Sequence, residues 1–320
     1  MFIHDILNIR RIKARFFSLI DLPSTDTGFF KVSIITKSGE EDDSFDLIDS
    51  NDVQTVEQML TNLAPTSEPD WPQVGFRGYG LKKQGIVSSP QFIRVFQGVI
   101  EIFDSVGSNY YQDNNGLESF LSQKSGMALS QPPESGGIVK RDVPAPANQL
   151  PTSGSEPPYE PNKWNVAPIV DENNCYAYAT NIMGTSFPRP GRAGGKNPPR
   201  PGEAGYNCKN FVAAAESDGL VKTDCDKACP KCSFKVALVI DPTPNLEDYH
   251  WYRQDDNGNW SHKRGQDKAK NVDESKKPIT DPRKADRATY TDFCECFCVP
   301  PKKVKIRDVN SPVDICKDGD

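Results

Sequence analysis

Histidine is scarce in this chain of 320 residues, where it occurs only as His4, His250 and His262. Cysteine is absent from the first 174 residues, although nine cysteines follow. A site that combines a thiol with an imidazole base therefore has few candidates, and we expect it in the C-terminal part of the chain. The odd number of cysteines leaves at least one thiol unpaired within the chain.

Long apolar runs and an excess of positive charge are also missing. No stretch approaches the ~20 apolar residues of a membrane-spanning helix, so we expect no membrane span. The formal net charge of -6 argues against general nucleic-acid binding, which needs a basic surface. Arg10, Arg11, Lys13 and Arg15 interrupt the first apolar segment, which predicts that there is no signal peptide. We therefore expect a protein that is cytoplasmic or exported by a non-classical route.

The prolines are unevenly distributed and indicate a boundary between two domains. The segment 127–161 contains eight prolines, many serines and no sustained periodicity, which is typical of a linker. We predict an N-terminal domain over 1–125, a linker over 126–165 and a cysteine-rich domain over 166–320.

Alternation and capping patterns predict an α+β fold for the N-terminal domain. GFFKVSIIT and SFDLID read as two strands of a hairpin, joined by the turn KSGEEDD. SNDVQTVEQMLTNLAP reads as a helix that Ser50, Asn51 or Asp52 could cap. FIRVFQGVIEIFD reads as a strand and NGLESFLSQ as a short helix. The role of this domain is unknown, and it could bind a partner that the sequence does not identify.

The C-terminal domain is also predicted to be α+β. NNCYAYATNIM reads as a helix capped by Asn173 or Asn174, and CKNFVAAAESDGL as a second helix that closes near Gly219. FKVALVID, DYHWYRQ and NWSHK read as strands, and the last two are joined by a turn at DNG, residues 256–258. We therefore expect helices packed on an antiparallel sheet.

Cys175 lies at the start of the first of these helices, where free backbone N–H groups favour a thiolate and a developing oxyanion. His250 and His262 lie on neighbouring strands of one predicted hairpin. Side chains on one face of a hairpin can touch, so one histidine could orient the other as the third member of a triad orients its base.

This order of residues resembles the NlpC-type cysteine peptidases, papain-like enzymes that cleave cell-wall peptides. The resemblance rests on Cys175 at a helix start and on HWYRQDDNGNWSH, and it covers roughly residues 166–300. NNCYAY lacks the Ser-Gly pair that usually follows the cysteine in this family. The broader papain-like class, which includes the CHAP amidases, is therefore the better description.

The resemblance implies that Cys175 attacks a carbonyl carbon, His250 transfers the proton and His262 orients His250. It implies a cysteine peptidase or amidase that acts on a peptide or protein substrate and requires no cofactor. Two alternatives stay open: a toxin-like effector that deamidates or transfers an acyl group with the same site, and a non-enzymatic binding module stabilised by zinc or disulfides.

The other cysteines allow either of these stabilising chemistries. Cys225, Cys229 and Cys232 in CDKACPKC could supply three ligands to a structural zinc ion, whereas disulfides would serve in an oxidising setting. FCECFCV predicts a strand with Cys294 and its two alternating cysteines on one face.

Two arginines in the loop after the first helix are candidate substrate-binding residues. Arg189 and Arg192 could bind a substrate carboxylate through forked hydrogen bonds, although the loop could equally be solvated.

Overall fold

A computed structural model describes residues 28–71, 76–85, 91–126, 149–244, 246–300 and 303–306. The predictions about a signal peptide and about residues 127–148 of the linker lie outside these residues. The described part consists of helices and two antiparallel sheets, which confirms the α+β class. No helix in these ranges is both long and apolar enough to cross a membrane.

The first sheet has six strands in the order β2-β1-β3-β4-β5-β6. The predicted hairpin is confirmed, since the first two strands pair in antiparallel fashion. The strands are β1 (Phe29–Ile34), β2 (Asp43–Leu47), β3 (Tyr79–Gln84), β4 (Phe92–Phe96), β5 (Val99–Phe103) and β6 (Ser108–Gln112).

Two helices cover one face of this sheet, and both were predicted. They are α1 (Ser50–Met59) and α2 (Leu117–Ser125). Val53 and Val56 of α1 and Leu121 of α2 enter the same apolar core as Val32 of β1. The cap of α1 is Asp49, whose carboxylate accepts the N–H groups of the second and third residues that follow it. The predicted cap at residues 50–52 was therefore displaced by at least one residue.

The single strand predicted over FIRVFQGVIEIFD is wrong, because the segment forms two strands, β4 and β5, paired with each other. Gln97 and Gly98 form the turn between them with φ values of 49° and 71°. Two consecutive positive φ values are the signature of the tight turn that fits the twist of a hairpin. The apolar residues on both sides concealed this turn in the sequence.

The second sheet also has six strands, in the order β11-β10-β9-β8-β12-β7. The predicted strands FKVALVID, DYHWYRQ, NWSHK and FCECFCV are all confirmed. The strands are β7 (Val221–Thr223), β8 (Phe234–Asp241), β9 (Asp248–Gln254), β10 (Trp260–Lys263), β11 (Ala269–Lys270) and β12 (Asp292–Val299).

Apolar residues cover both faces of the central strand β8. Val236 and Leu238 lie in one core with α5 and α6, while Ala237 and Val239 lie in another on the opposite face. The helices are α3 (Pro161–Trp164), α4 (Ile169–Glu172), α5 (Cys175–Thr180) and α6 (Cys208–Ser217). The helices predicted for NNCYAYATNIM and CKNFVAAAESDGL are thus confirmed as α5 and α6.

The prediction that the three cysteines of β12 share one face is wrong. The register with β8 shifts between Phe293 and Glu295, which makes Cys294 an irregular position in the ladder. Cys294 consequently packs against the core that contains α6, whereas Cys296 lies in the core on the opposite face.

The two sheets meet in a buried contact that combines apolar and charged residues. Phe92 and Phe103 of the first sheet pack with Ala167 and Val170, which precede α5. Beside them, the carboxylate of Asp267 lies 2.8 Å from Nε of Arg77 and 2.7 Å from Nη1 of Arg94.

Part of the predicted linker packs against the second sheet. Leu150 lies in a core with Trp260, and Trp164 of α3 is buried against Tyr178. Among the described residues, the segment from 149 onward therefore belongs to the folded C-terminal region.

Candidate functional site

Cys175 is the first residue of α5, and the residue before it sets its backbone environment. Oδ1 of Asn174 accepts hydrogen bonds from the N–H groups of Tyr176 and Ala177, both at 3.2 Å. The cap therefore leaves the N–H of Cys175 available, and it donates to the carbonyl oxygen of Ser38 at 3.5 Å. Asn174 is one of the two caps that the sequence predicted.

The β9–β10 hairpin brings the two histidines together, as their spacing predicted. His262 pairs with Tyr252, so His250 is its diagonal neighbour on the same face. Nε2 of His250 lies 2.8 Å from Nδ1 of His262, and Nε2 of His262 lies 2.9 Å from the carbonyl oxygen of Val272. Both imidazoles are buried.

These contacts determine where the protons of the two neutral rings lie. A carbonyl oxygen can only accept, so Nε2–H of His262 donates to Val272. Nδ1 of His262 must then accept from Nε2–H of His250. Nδ1 of His250 is left as an unprotonated nitrogen that is buried and has no hydrogen-bond partner. This is the arrangement of a base whose ring is oriented by a second group.

The thiol of Cys175 is fully buried and contacts the backbone on either side of His250. Its Sγ donates to the carbonyl oxygen of Tyr249 at 3.8 Å, and the backbone N–H of Trp251 hydrogen-bonds the sulfur. Tyr249 and Trp251 share the core of Cys175. Because successive side chains of a strand face opposite sides, Cys175 lies on the face of β9 opposite to the ring of His250, which packs against Tyr252 and Tyr290. The catalytic pair stays a prediction.

The protonation equilibria of the pair differ from those of a thiolate–imidazolium site. Burial and the carboxylate of Asp248 raise the pKa of Cys175 well above its usual value. Burial, together with Arg264, His262 and Arg77, lowers the pKa of His250 well below its usual value. The helix start alone predicts a depressed pKa for the thiol, but loss of hydration has the larger effect on this pKa. Both groups are therefore neutral at pH 7.

A segment of the connection between β1 and β2, for which the sequence predicts only a turn, covers this site. It comprises Ser38, Gly39 and Glu40, and we call it the covering segment. The carboxylate of Asp248 accepts all three of its N–H groups, at 2.6, 3.1 and 3.1 Å. The signal for Asp248 was its position two residues before His250, which places both side chains on one face of β9.

Lys263 is a second site residue that sequence reasoning missed. Its Nζ donates at 2.6 Å to the carbonyl oxygens of Val170, Asn173 and Gly265. Burial lowers the pKa of Lys263 to about 7. The side chain fixes the backbone before Cys175 relative to that of Gly265, and its charge gave no indication that it would be buried.

The two candidate substrate-binding arginines have different environments. Arg189 forms an ion pair with Glu40, with Nη2 2.8 Å from Oε1, and also donates to the carbonyl oxygens of Pro198 and Pro199. Its guanidinium is therefore bound by the protein itself. Arg192 is exposed. The binding of a substrate carboxylate by Arg189 and Arg192 stays a prediction.

The cysteines proposed as zinc ligands form disulfides instead. Cys225 pairs with Cys296 and Cys229 with Cys298, while Cys232 is disulfide-bonded as well. A third bridge joins Cys208 to Cys294. A cysteine must be a thiolate to bind zinc, so these residues are not available as ligands.

The described residues contain no candidate metal site, and their disulfides bear on the compartment of the protein. No group of three or more metal-ligating side chains occurs in the part of the chain that the structure describes. Disulfides persist in oxidising compartments and are rare in the cytosol, so the cytoplasmic alternative is not supported. The only free cysteine among the described residues is Cys175.

Comparison with known proteins identifies one informative relative. Insoluble matrix shell protein 1 of Ruditapes philippinarum is 44% identical over 144 residues, which are 45% of this chain and 90% of that protein. No family model matches the chain, and no solved structure matches it. The resemblance to NlpC-type peptidases thus stays a prediction. At this identity, and with nearly all of the relative covered, the chain belongs to the family of insoluble matrix shell protein 1.

Proposed function

We propose that the chain is an extracellular matrix protein that carries a papain-like, cysteine-dependent site for amide hydrolysis or acyl transfer. One observation supports the chemistry above all. The two histidines and Val272 form a fixed relay that ends at Nδ1 of His250, a buried base nitrogen without a hydrogen-bond partner. A buried polar atom costs free energy when it is unpaired, and an unprotonated imidazole nitrogen without a partner is free to accept a proton.

In this proposal Cys175 is the nucleophile and His250 the base. The two side chains lie on opposite faces of β9, so the reaction requires a rearrangement that brings the thiol to Nδ1 of His250. The thiol then transfers its proton as sulfur attacks an amide carbon, and the imidazolium protonates the leaving amine. His262 stays neutral and keeps the ring of His250 in place through Nδ1, since its own Nε2–H is held by Val272. Water, or the amine of an acceptor, finally releases the acyl group from the thioester.

The extracellular location is supported by two independent observations. The second sheet contains three disulfides between described residues, which form and persist outside the cytosol. The relative's name places that protein in an insoluble shell matrix.

The test is transfer of an acetyl group from p-nitrophenyl acetate to Cys175, mapped by mass spectrometry on the oxidised full chain. We expect an acetyl thioester on Cys175 that forms at least about tenfold more slowly in His250→Ala, because general base catalysis contributes 10²–10⁴-fold. Acetylation at the same rate in both proteins would remove His250 from the mechanism. Cys175→Ala controls for acetylation of other nucleophiles.

A second candidate is a non-enzymatic matrix component whose core is stabilised by disulfides. It is favoured by the complete burial of Cys175 and His250, both of which have no exposed surface. This candidate predicts that no acetyl thioester forms. It also predicts that Cys175→Ala is retained in a reconstituted insoluble matrix as fully as the wild type.

A further inference from the structure

We propose that Lys270 is an imine-forming amine, and that a cavity between the two sheets holds the small aldehyde with which it reacts. This reaction uses neither Cys175 nor His250, so it goes beyond the proposed function. Three features support the assignment: the walls of the cavity, the direction of the Lys270 side chain and the charges around its amine.

One wall of the cavity is a row of three polar side chains on the first sheet. Arg94 of β4 pairs with Glu101 of β5, which pairs in turn with Tyr110 of β6, so the three side chains lie on one face. The guanidinium of Arg94 lies over the ring of Trp71, with its Cζ 4.3 Å from the ring centroid. This wall therefore presents charged and aromatic groups side by side.

The other wall is formed by the segment that follows β10 and includes β11. The residues that line it are Asp267, Lys268, Lys270, Val272, Asp273 and Lys276. Ion pairs join the two walls, since Oδ1 of Asp267 lies 2.7 Å from Nη1 of Arg94 and Nζ of Lys268 lies 3.0 Å from Oε1 of Glu101. The cavity between the walls has a volume of about 240 Å³. Sites for drug-sized ligands span about 300–1,000 Å³, so this cavity fits a smaller molecule.

The register of β11 directs Lys270 into this cavity. Ala269, the residue before it, is buried against Trp164 and Tyr178. Successive residues of a strand point to opposite faces, so the side chain of Lys270 points away from that core and toward the cavity that it lines. Lys270 is only partly buried, which leaves its side chain accessible to a small molecule from solvent.

The surroundings of the amine favour its uncharged form. Burial, together with the guanidinium groups of Arg94 and Arg264, lowers the pKa of Lys270 below its usual value. Asp267 and Glu274 act in the opposite direction without cancelling this effect. Only a neutral amine attacks a carbonyl carbon, and lysines that form imines are activated by loss of hydration or by an adjacent cation.

Lys263 shows that a lowered pKa is not sufficient without access. Burial lowers the pKa of Lys263 to about 7. Its Nζ donates to three carbonyl oxygens, however, and the residue has no exposed surface. We therefore expect no reaction at Lys263. The open cavity is what distinguishes Lys270 from it.

The charges of the lining favour an aldehyde without a charge of its own. Carboxylates and cations of the lining pair with each other, Asp267 with Arg94 and Glu101 with Lys268. A charged ligand would compete with these pairs and leave one of their members without its partner. The hydroxyl group of a neutral ligand both donates and accepts, so it can bind a carboxylate or an ammonium group and leave the pairs intact. The site is therefore assigned to a small, hydroxylated aldehyde.

The reaction balances as the condensation of an amine with an aldehyde. The lone pair of the neutral Lys270 amine forms a bond to the carbonyl carbon, and a proton moves from nitrogen to oxygen to give a carbinolamine. Loss of one water from this intermediate leaves the imine. No oxidant or reductant takes part, and addition of water reverses the reaction.

The experiment is incubation of the oxidised full chain with glycolaldehyde and sodium cyanoborohydride, which reduces an imine to a stable secondary amine. Peptide mapping by mass spectrometry locates the modified lysines. At pH 6.5 we expect Lys270 to react at least about tenfold faster than Lys227, whose side chain is 75% exposed. The ratio should fall toward pH 9, because the neutral fraction of an exposed lysine rises about tenfold per pH unit, whereas that of a group with a lower pKa levels off earlier.

Val272→Phe tests whether the aldehyde reacts inside the cavity. Val272 lines the cavity, so a larger side chain should narrow it and slow the modification of Lys270 at least about fivefold. Val221→Phe is the matched control, because Val221 is exposed and lies on β7, outside the lining. Lys227 should react at the same rate in both variants and in the wild type, which makes it an internal reference.

Several outcomes would overturn the inference. Modification of Lys270 no faster than that of Lys227 at pH 6.5 would remove its special reactivity, and preferential modification of Lys263 would assign the reaction to another amine. An unchanged rate at Lys270 in Val272→Phe would place the aldehyde outside the cavity. Glyoxylate, an aldehyde that carries a carboxylate, should react with Lys270 more slowly than glycolaldehyde when both rates are divided by those at Lys227. The reverse order would contradict the uncharged ligand class.

Discussion

His262 is the residue on which the orientation of the base nitrogen of His250 depends. Its ring spans from Nε2 of His250 to the carbonyl oxygen of Val272. Burial and the guanidinium of Arg264 lower the pKa of His262 to about 3. The ring thus stays neutral, and its acceptor nitrogen stays available, over the whole physiological pH range.

This depressed pKa predicts a pH-dependent loss of stability. An unfolded histidine titrates near 6.5, so below that pH the unfolded chain binds a proton that the folded chain excludes. The free energy of unfolding should then fall by about 1.4 kcal/mol per pH unit for this group, down to the folded pKa. We expect the wild type to lose about 2 kcal/mol more than His262→Gln between pH 6.5 and 5. Urea unfolding at both pH values measures this difference, and parallel losses would contradict it.

At the scale of the element, the turn between β4 and β5 is where the structure depends most clearly on glycine. Gly98 has a φ of 71° and nothing within 4 Å of a built Cβ. Glycine is therefore required here only because of the backbone conformation, since no neighbouring atom would clash with a side chain. Residues other than glycine pay a cost of roughly 1 kcal/mol in this region of backbone space.

Gly98→Ala should accordingly lower the free energy of unfolding by about 1 kcal/mol. Gly107→Ala removes a glycine from the next hairpin, where φ is not positive and the space is also open. This control should change stability by less than about 0.5 kcal/mol. Urea midpoints of the two variants provide the comparison. If both variants lose the same stability, the turn geometry is not the cause.

The stability of the region around β12 depends on the three disulfides that this strand forms. The Cys225–Cys296 bridge closes a chain separation of 71 residues. Because the Cys229–Cys298 bridge already joins the same two segments, the loop that Cys225–Cys296 adds spans only about eight residues, and closing such a loop stabilises the folded state by about 2–3 kcal/mol in the chain-entropy description. Replacing both cysteines by alanine should lower the free energy of unfolding by roughly that amount. Urea unfolding under non-reducing conditions tests this, and a loss below ~1 kcal/mol would assign the bridge no stabilising role.

Local patterns predicted most of the elements, and their failures have identifiable causes. The alternation and capping signals for α1, α2, α5 and α6 and for β8, β9 and β10 were sufficient because each coincides with local backbone preferences. The β4–β5 turn was missed because Gln97 is an unusual residue at positive φ. The face of Cys294 was missed because a bulge depends on the partner strand and leaves no signal in its own sequence.

The candidate site was only half predictable for a related reason. Asn174, Cys175, His250 and His262 lie on local elements whose register the sequence indicates. The covering segment lies more than 200 residues away from Asp248 in the chain, and nothing in KSGEEDD suggests that its N–H groups bind a buried carboxylate. Such long-range pairing appears only once both sheets are assembled.

At the scale of the whole molecule, the contact between the two sheets depends on Asp267. Although burial opposes it, the guanidinium groups of Arg94 and Arg77 lower the pKa of Asp267 to about 2. The side chains of all three residues are at most 7% exposed. Removing the carboxylate leaves two buried positive charges without their partner, which is more costly than the loss of a hydrogen bond alone.

Asp267→Asn should therefore destabilise the protein by about 3–5 kcal/mol and make the two sheet regions unfold separately. Scanning calorimetry should show one transition for the wild type and two for the variant. Asp226→Asn is the matched control, because its ion pair with Arg283 is largely exposed, with 62% of the Asp226 side chain accessible, and its removal should leave the transition nearly unshifted. A single unshifted transition in Asp267→Asn would contradict this view of the interface.

The position of β12 also has a mechanical consequence. Three bridges connect this one strand to residues 208, 225 and 229. When the chain is pulled from its two ends, the force passes through the Cys208–Cys294 bond. The chain between these two cysteines, which are 86 residues apart, is then not stretched. At about 3.4 Å per residue, roughly 290 Å of backbone is thereby withheld from extension. In a stressed network, this half of the molecule would act as a short inextensible link until a sulfur–sulfur bond is broken.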